Sequence, residues 1–581
     1  MSMTNLRPYL WAALALLLFV NYETWQRDYP PPAPPTAANK APLGDLDATV
    51  PGTAPTAAPS PAAVPAAAPS VAADAPEAAA APQATTVSVH TDVYDLKIGL
   101  RGGELTSADI LQYPKVKDQP GVPVRLLRRE GTEALYVLQS GLQAGTAAGA
   151  ATPTHQAQYQ SAFDSFRLLD GVDELRVPLT WASDDGVMVT KTFVLHRGSY
   201  RIDVEYSVQN GSAAPWSAAS YAQILHDMPP VARSYFNVDS YSFEGPAIWD
   251  STKYRKLKLD NADDAKLSQD VTNGWLAALQ HHFVAAYVPV ADTAYHYSLQ
   301  VRGQQYLSRA IGPVQVVAPG ATGVFKETMF VGPKLQKQLN PIHPELNRVA
   351  DYGLLTVLAR PLFALLQFVH GLFGNWGWTI VFTTLILKLL FYPLAEISGK
   401  SMAKMRTLQP RIKNLQDTFK DDKQKLSQAM MELYKREKIN PAAGCLPMFI
   451  QMPVFFAFYW VLLESVEMRQ APFMFWLHDI SSRDPLFILP LLNAAAMFFQ
   501  IRLQPKPADE LQAKMFMIMP LVMSVTFAFF PAGLVLYWLS NTLLTIAQQW
   551  NINRRIAAAW RPRLPACPGA ARASAAGLRV W

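Results

Sequence analysis

Five apolar runs crowd into the C-terminal part of the sequence, at 375–395, 442–466, 485–503, 514–530 and 532–551. Each is close to the roughly 20 residues that an α-helix needs to cross a hydrocarbon core. Lipid offers no partner to a peptide group, so runs of this length must close their hydrogen bonds internally as helices. A sixth run lies at 5–23, where Arg7 precedes an apolar stretch from Leu10 to Val20. Bulky Asn21, Tyr22, Glu23 and Trp25 follow it instead of a small-residue cleavage site. This predicts an uncleaved signal-anchor. Half of the chain is hydrophobic and 17% is charged, which suits a partly embedded protein.

Between the anchor and the other runs the composition changes twice. Residues 29–85 are mostly Pro and Ala, too poor in large apolar side chains to form a core, and read as a semi-extended tether. Residues 86–335 read as β. "GVMVTKTFVLHRGSYRIDVEYSVQN" (186–210) is two β-rich runs joined at Arg197-Gly198-Ser199, and "HHFVAAYVPV" and "YHYSLQVRG" repeat the pattern. His281 and His282 read as strand residues. The expectation is one large exported β-sandwich domain. The stretch 341–374 is amphipathic and broken by glycines, which predicts an interfacial helix.

Charge placement orients the spans. The segment 396–440 carries eleven Lys and Arg, among them Lys400, Lys404, Arg406 and Arg411, whereas 467–484 has only Arg469 and Arg483. The tail 552–581 carries six arginines and no acid. The positive-inside rule places 396–440, the short loop 504–513 and the tail in the cytoplasm. An N-terminus held in the cytoplasm requires the same arrangement.

The basic segment 396–440 reads as a helical hairpin. Met402, Met405, Leu408, Ile412, Leu415 and Phe419 recur at three and four, and Leu426, Met430, Leu433 and Tyr434 form a second stripe after "KDDK". Two readings follow: a self-packed pair with a solvated basic surface, and a docking surface for ribosome, targeting factor or anionic headgroups, in which Arg406 and Met431 would take part. Thirteen of the 18 methionines lie between Met402 and Met523. They read as ordinary packing or as a deformable surface for varied apolar ligands. "EISGKSM" contains Gly-Lys-Ser, but Leu394 stands where a phosphate-binding loop needs its first glycine. The two cysteines, Cys445 and Cys567, have no paired spacing. Neither cofactor nor metal is expected.

Lys388 sets the sharpest problem. It lies in "TTLILKLLFYPL" (383–394), seven residues before the inner end of its run, and no Asp or Glu occurs at comparable depth in any run. An ammonium there costs roughly 2.5–3.5 kcal/mol on insertion scales. Thr384 shares its face, and Gln451, Gln500, Thr545 and Gln548 mark the inner halves of other runs. The pattern implies a hydrated cavity open to the cytoplasm.

The stretches "GNWGWTIVFTTLILKLLFYPL", "SMAKMRTLQPRIKNLQ", "NPAAGCLPMFIQMPVFFAFYWVL", "SVEMRQAPFMFWLHDIS" and "FPAGLVLYWLSNTL" resemble the conserved core of the YidC/Oxa/Alb insertase family. The anchor and large β domain are similar to its Gram-negative form, whose periplasmic domain is a β-supersandwich. The resemblance implies a polytopic α-helical membrane protein of the bacterial inner membrane with six transmembrane helices. Its five-helix core would form a hydrophilic groove that inserts and chaperones nascent membrane proteins, alone or with the Sec translocon. It also implies both termini in the cytoplasm, contacts with ribosome or targeting factor and with membrane lipids, no specific nucleic-acid recognition and no enzymatic reaction. Groove positions fall on Lys388, Thr384, Gln451, Tyr537 and Trp538. Relatives commonly have arginine at the first of these and a second tyrosine at the last. The alternative from the residues themselves is a membrane-anchored periplasmic carbohydrate-binding or epimerising protein. It leaves the C-terminal helices unexplained.

Overall fold

The computed structural model describes residues 44–51, 85–130, 134–145, 151–228, 242–419, 422–437, 446–503 and 510–559. The anchor at 5–23, most of the tether at 29–85, the loop residues 504–509, the tail beyond 559 and the side chains of Met402 and Arg406 lie outside the described residues. The chain forms two compact units, Met1–Asp351 with Leu463–Glu467, and Tyr352–Leu462 with Met468–Trp581.

The first unit is a sandwich of a ten-stranded and an eight-stranded sheet. Its strands alternate as the sequence does. Along Arg201–Asn210, Ile202, Val204, Tyr206 and Val208 point inward and their neighbours outward. This strand pairs antiparallel with Val187–His196 across a turn at Gly198 (φ 68°), where the expected hairpin lies. Both sheets contribute to one continuous core. His281 and His282 depart from expectation. They occupy the bend between strands Trp275–Leu279 and Phe283–Val288, with rings stacked at 3.8 Å. The tether departs as well. Gly44–Asp47 forms one helical turn and Leu46 is buried.

Lys191 crosses the core of the sandwich. Its ammonium, fully buried, donates to the carbonyls of Gly102 (3.0 Å), Gly103 (2.8 Å) and Ser140 (3.0 Å). The rings of Tyr159, Phe193 and Tyr206 lie 5.2–5.9 Å from it. Glu327 is also buried, and loss of solvent pushes its carboxyl up to about 8, against the opposing pull of Lys191 and nearby hydroxyls.

The second unit is helical: α1 (Thr356–Phe373), α2 (Trp376–Leu390), α3 (Tyr392–Thr418), α4 (Lys423–Arg436), α5 (Leu446–Glu464), α6 (Ile488–Leu503), α7 (Glu510–Phe527) and α8 (Ala532–Ala559). Asn375 caps α2 by accepting from the Trp378 amide, and its side-chain amide reaches the carbonyls of Pro472 and Phe473. The run expected at 375–395 is two helices bent by 61° at Phe391. Pro393, in the first turn of α3, has no N–H to continue the α2 ladder and restricts the residue before it. Other helices begin or end a few residues from the apolar runs, and α8 continues past 551 to Ala559. Among the described residues α1 has the length and apolarity to cross a membrane. The apolar parts of α5, α6 and α7 are shorter, and α2 reaches that length only with the start of α3. Gly377 lets α2 approach the loop that follows α5. A Cβ there would lie 2.0 Å from Phe473 Cδ2.

Replacing Lys191 with Met removes a charged donor from three buried carbonyls. It should cost the sandwich about 3 kcal/mol, read as roughly hundredfold faster hydrogen exchange of the Val187–His196 amides in the full chain. For Glu327 the sign runs the other way from an ordinary ion pair. The folded carboxyl holds its proton to about pH 8, while the unfolded one releases it near its ordinary 4.5. Its contribution is therefore full below pH 4.5 and lost as pH rises towards 8. Glu327→Gln should abolish that decline in the same exchange assay. Gly377→Ala should lower the stability of the helical unit by about 2 kcal/mol in detergent melts. Part of that loss should disappear when Phe473→Ala is also present.

Candidate functional site

Two helices present polar stripes towards each other. Thr384 and Lys388 are one turn apart on α2, and Tyr537, Asn541, Thr545 and Gln548 recur at four, four and three along α8. Gln451 joins them from α5. Thr384, Lys388, Gln451, Tyr537, Asn541 and Gln548 line a cavity of about 50 Å³, closed by apolar side chains of which Leu387 and Val454 are two. One water needs roughly 10–15 Å³ by the same measure, so the space suits a few waters. Among the described residues no Asp or Glu lines it.

Lys388 finds a hydroxyl in the place of an acid. Its Nζ donates to Thr545 Oγ1 at 2.9 Å, and that hydroxyl donates to the Asn541 carbonyl at 2.6 Å. A neutral hydroxyl can accept the ammonium but cannot cancel its charge, so the cavity keeps a positive potential. Thr384 Oγ1 donates to the Ile380 carbonyl at 2.7 Å, which leaves its lone pairs for the cavity. Gln451 Nε2 donates to the Tyr537 hydroxyl. Tyr537 is buried, with its ring stacked on Phe458 at 4.3 Å. Asn541 Oδ1 and Gln548 Nε2 are buried and have no protein partner among the described residues. Orphaned polar atoms beside a cavity of this size are the condition under which ordered water is stable.

The fold thus brings four of the five groove candidates together. Trp538 is the exception. It lies outside the lining, edge-on to Phe455 at 4.9 Å and beside Phe527 at 5.3 Å. Gln500 does not line the cavity either. Asn541 was not singled out from the sequence, although its place midway between Tyr537 and Thr545 on one helical face was a readable signal.

α3 and α4 form the hairpin, capped by Asp422, which accepts from the amides of Gln424 and Lys425. Leu408, Ile412 and Leu433 are buried at the seam, with Leu415, Met430 and Tyr434 around them, and Arg411 pairs with Glu437 at 2.7 Å. Met405 is half-buried and Met431 is exposed. The base of α3 rests on α8, where Gly399 meets Ile552 and Asn551 donates to the Tyr392 hydroxyl at 3.2 Å. On α7, Met515, Met517 and Met519 are exposed.

The family model described as "YidC periplasmic domain" matches residues 86–365, and the one described as "60Kd inner membrane protein" matches 368–559. A protein of Thioalkalivibrio sulfidiphilus named "Membrane protein insertase YidC" is 46% identical over 95% of this chain and 99% of its own. One of Nitrosococcus oceani with the same name is 43% identical over 95% and 99%. A crystal structure titled "Active YidC insertase crystal structure with the first transmembrane domain resolved" aligns at a TM-score of 0.35 and 17% identity, over 80% of this chain and 92% of that one. The family assignment rests on the sequence relatives, which extend through both units and do not favour the carbohydrate-binding alternative. The chain belongs to the YidC family of membrane protein insertases.

Proposed function

We propose that the chain inserts and helps fold inner-membrane proteins through the cavity between α2, α5 and α8, without a cofactor or a covalent step. The observation that carries this reading is Lys388, a half-buried cation held by a hydroxyl in a cavity that, among the described residues, no acid lines. The physical task is a barrier. A short polar segment of a nascent protein must leave water and cross hydrocarbon, while its apolar helix already favours lipid. Water and one positive charge brought part-way in shorten the dry path. Transfer of the apolar helix into lipid then drives the process.

In this reading Lys388, Thr384, Gln451, Tyr537 and Asn541 form the polar wall. Trp538 belongs to the aromatic packing behind it. The membrane part comprises six spans: the segment 5–23, α2 with the start of α3, and α5 to α8. The basic hairpin and tail face the cytoplasm and the β domain the periplasm, supported by the distribution of Lys and Arg. The relatives' name supports nascent membrane proteins as substrates. The Sec translocon, ribosome or targeting factor, and anionic lipids are partners suggested by the basic surfaces. Met430, Met431 and Met405 would lie on the docking hairpin beside Met402 and Arg406.

Two outcomes test this. Lys388→Arg should support insertion, because the charge is kept in a wet site. Lys388→Glu should impair substrates whose translocated segment is acidic, since like charges about 8 Å apart at an effective dielectric near 20 repel by about 2 kcal/mol. Lys388→Ala should fall between the two. The measurement is protease accessibility of translocated segments matched in length and differing only in charge; equal insertion of acidic and neutral segments by the Glu variant would overturn the electrostatic role. Deleting Met405–Leu433 should abolish support of growth while the protein still reaches the membrane, and full complementation would remove the hairpin from the mechanism.

A further inference from the structure

The outer face of the ten-stranded sheet holds a segment of the chain's own tether. Leu46 is buried among Val137, Leu225 and Leu307, a cluster separate from the sandwich core. Asp47 receives both Nη atoms of Arg129, at 3.0 and 3.1 Å, and Gln139 Nε2 at 2.8 Å. Three successive carbonyls are also held. His155 Nε2 lies 2.9 Å from that of Asp47, Gln156 Nε2 donates to that of Ala48 at 2.7 Å, and Arg309 Nη2 to that of Thr49 at 2.7 Å. The Asp47 carbonyl can only accept, so His155 carries its proton on Nε2, and the Tyr221 hydroxyl, which accepts the His155 amide, donates to Nδ1 at 2.6 Å.

These contacts are the two ends of one network. Arg129 pairs with Glu104, and Gln139 donates to Glu104 at 2.9 Å. Gln223 donates to Gln139 at 2.6 Å, and Arg309 to Gln223 at 2.8 Å. Gln139, Gln223 and Arg309 stand directly opposite one another on adjacent strands Tyr136–Ala144, Trp216–Asp227 and Gln305–Val317. Glu104, Gln139, Gln223 and Arg309 are all buried. Two guanidiniums and one carboxylate leave this row one positive charge in excess, and Asp47 balances it. Beside Asp47 the face opens into a cavity of about 320 Å³ that Lys97, Arg101, Arg125 and Arg128 also line. A polar row this deep, closed by an aliphatic side chain, a carboxylate and consecutive main-chain carbonyls, has the features of peptide recognition.

We propose that this face is a binding site for peptides carrying an aliphatic residue followed by an acid at the end of a helical turn, and that residues 44–51 occupy it in cis as a built-in competitor. The main-chain contacts tolerate any side chain at the positions of Ala48 and Thr49. Leu46 and Asp47 carry the selectivity. A tethered competitor acts at an effective concentration of roughly millimolar, so a free peptide gains access only when the cis segment leaves.

The test uses the full chain in nanodiscs and a fluorescein-labelled peptide of residues 42–52, read by anisotropy. Leu46→Asp with Asp47→Lys should eject the cis segment without touching the sheet, and this variant should bind the peptide about tenfold or more tighter than the wild type. Adding Arg129→Gln to that variant, or replacing the peptide's aspartate at position 47 with asparagine, should weaken binding about tenfold. Should the double variant fail to fold, wild-type chain cut at a protease site inserted after Gly52 gives a second readout, because the segment is then no longer covalently joined to the domain. Equal binding to intact wild type and to both opened forms, or binding to none of them, would overturn the proposal.

Discussion

The hydrogen bond from Lys388 to Thr545 is the contact around which the helical unit makes sense. An ammonium among apolar helices needs acceptors. A carboxylate would have satisfied it and cancelled its charge. A hydroxyl satisfies one proton, passes its own to the Asn541 carbonyl, and leaves the charge in place. The remaining donors of the ammonium call for water, and the small cavity between α2, α5 and α8 has room for it. Positive potential and hydration are therefore one feature, produced by the choice of a neutral partner.

The sandwich meets the same problem with a different solution. Lys191 is deeper still, and three backbone carbonyls take its three protons under a roof of aromatic rings. Its acceptors are fixed by the sheet, so the site is dry and rigid, and its role is to hold strands together. Comparing the two lysines separates a structural buried cation, whose donors are all filled by protein, from one whose donors are left to solvent.

Much of this was legible beforehand. The turn at Gly198 and the alternation of Arg201–Asn210 followed from pattern alone, because inward and outward residues must alternate on a pleated strand. Lys388 stood out because burial of a charge is costly wherever the chain folds. The bend at Phe391 was hidden by continuous hydrophobicity on both sides of Pro393. The docking of Leu46 and Asp47 was hidden too. Two ordinary residues in a Pro/Ala tract carry no signal until Arg129, Gln139 and Arg309, from distant strands, are aligned beneath them.

The sequence by itself determined the division into apolar helical and alternating β segments, the likeness to an insertase family, and the oddity of Lys388. These are local properties: hydropathy, spacing and the self-energy of a charge can each be read from a few consecutive residues. Only the tertiary structure decided that Thr545 is the partner of that lysine, that Asn541 faces the cavity while Trp538 does not, and that the tether is pinned to the sheet. Each of these depends on which of several equally polar side chains, far apart in the chain, come within about 3 Å of one another, and directional bonds of that length are set by packing.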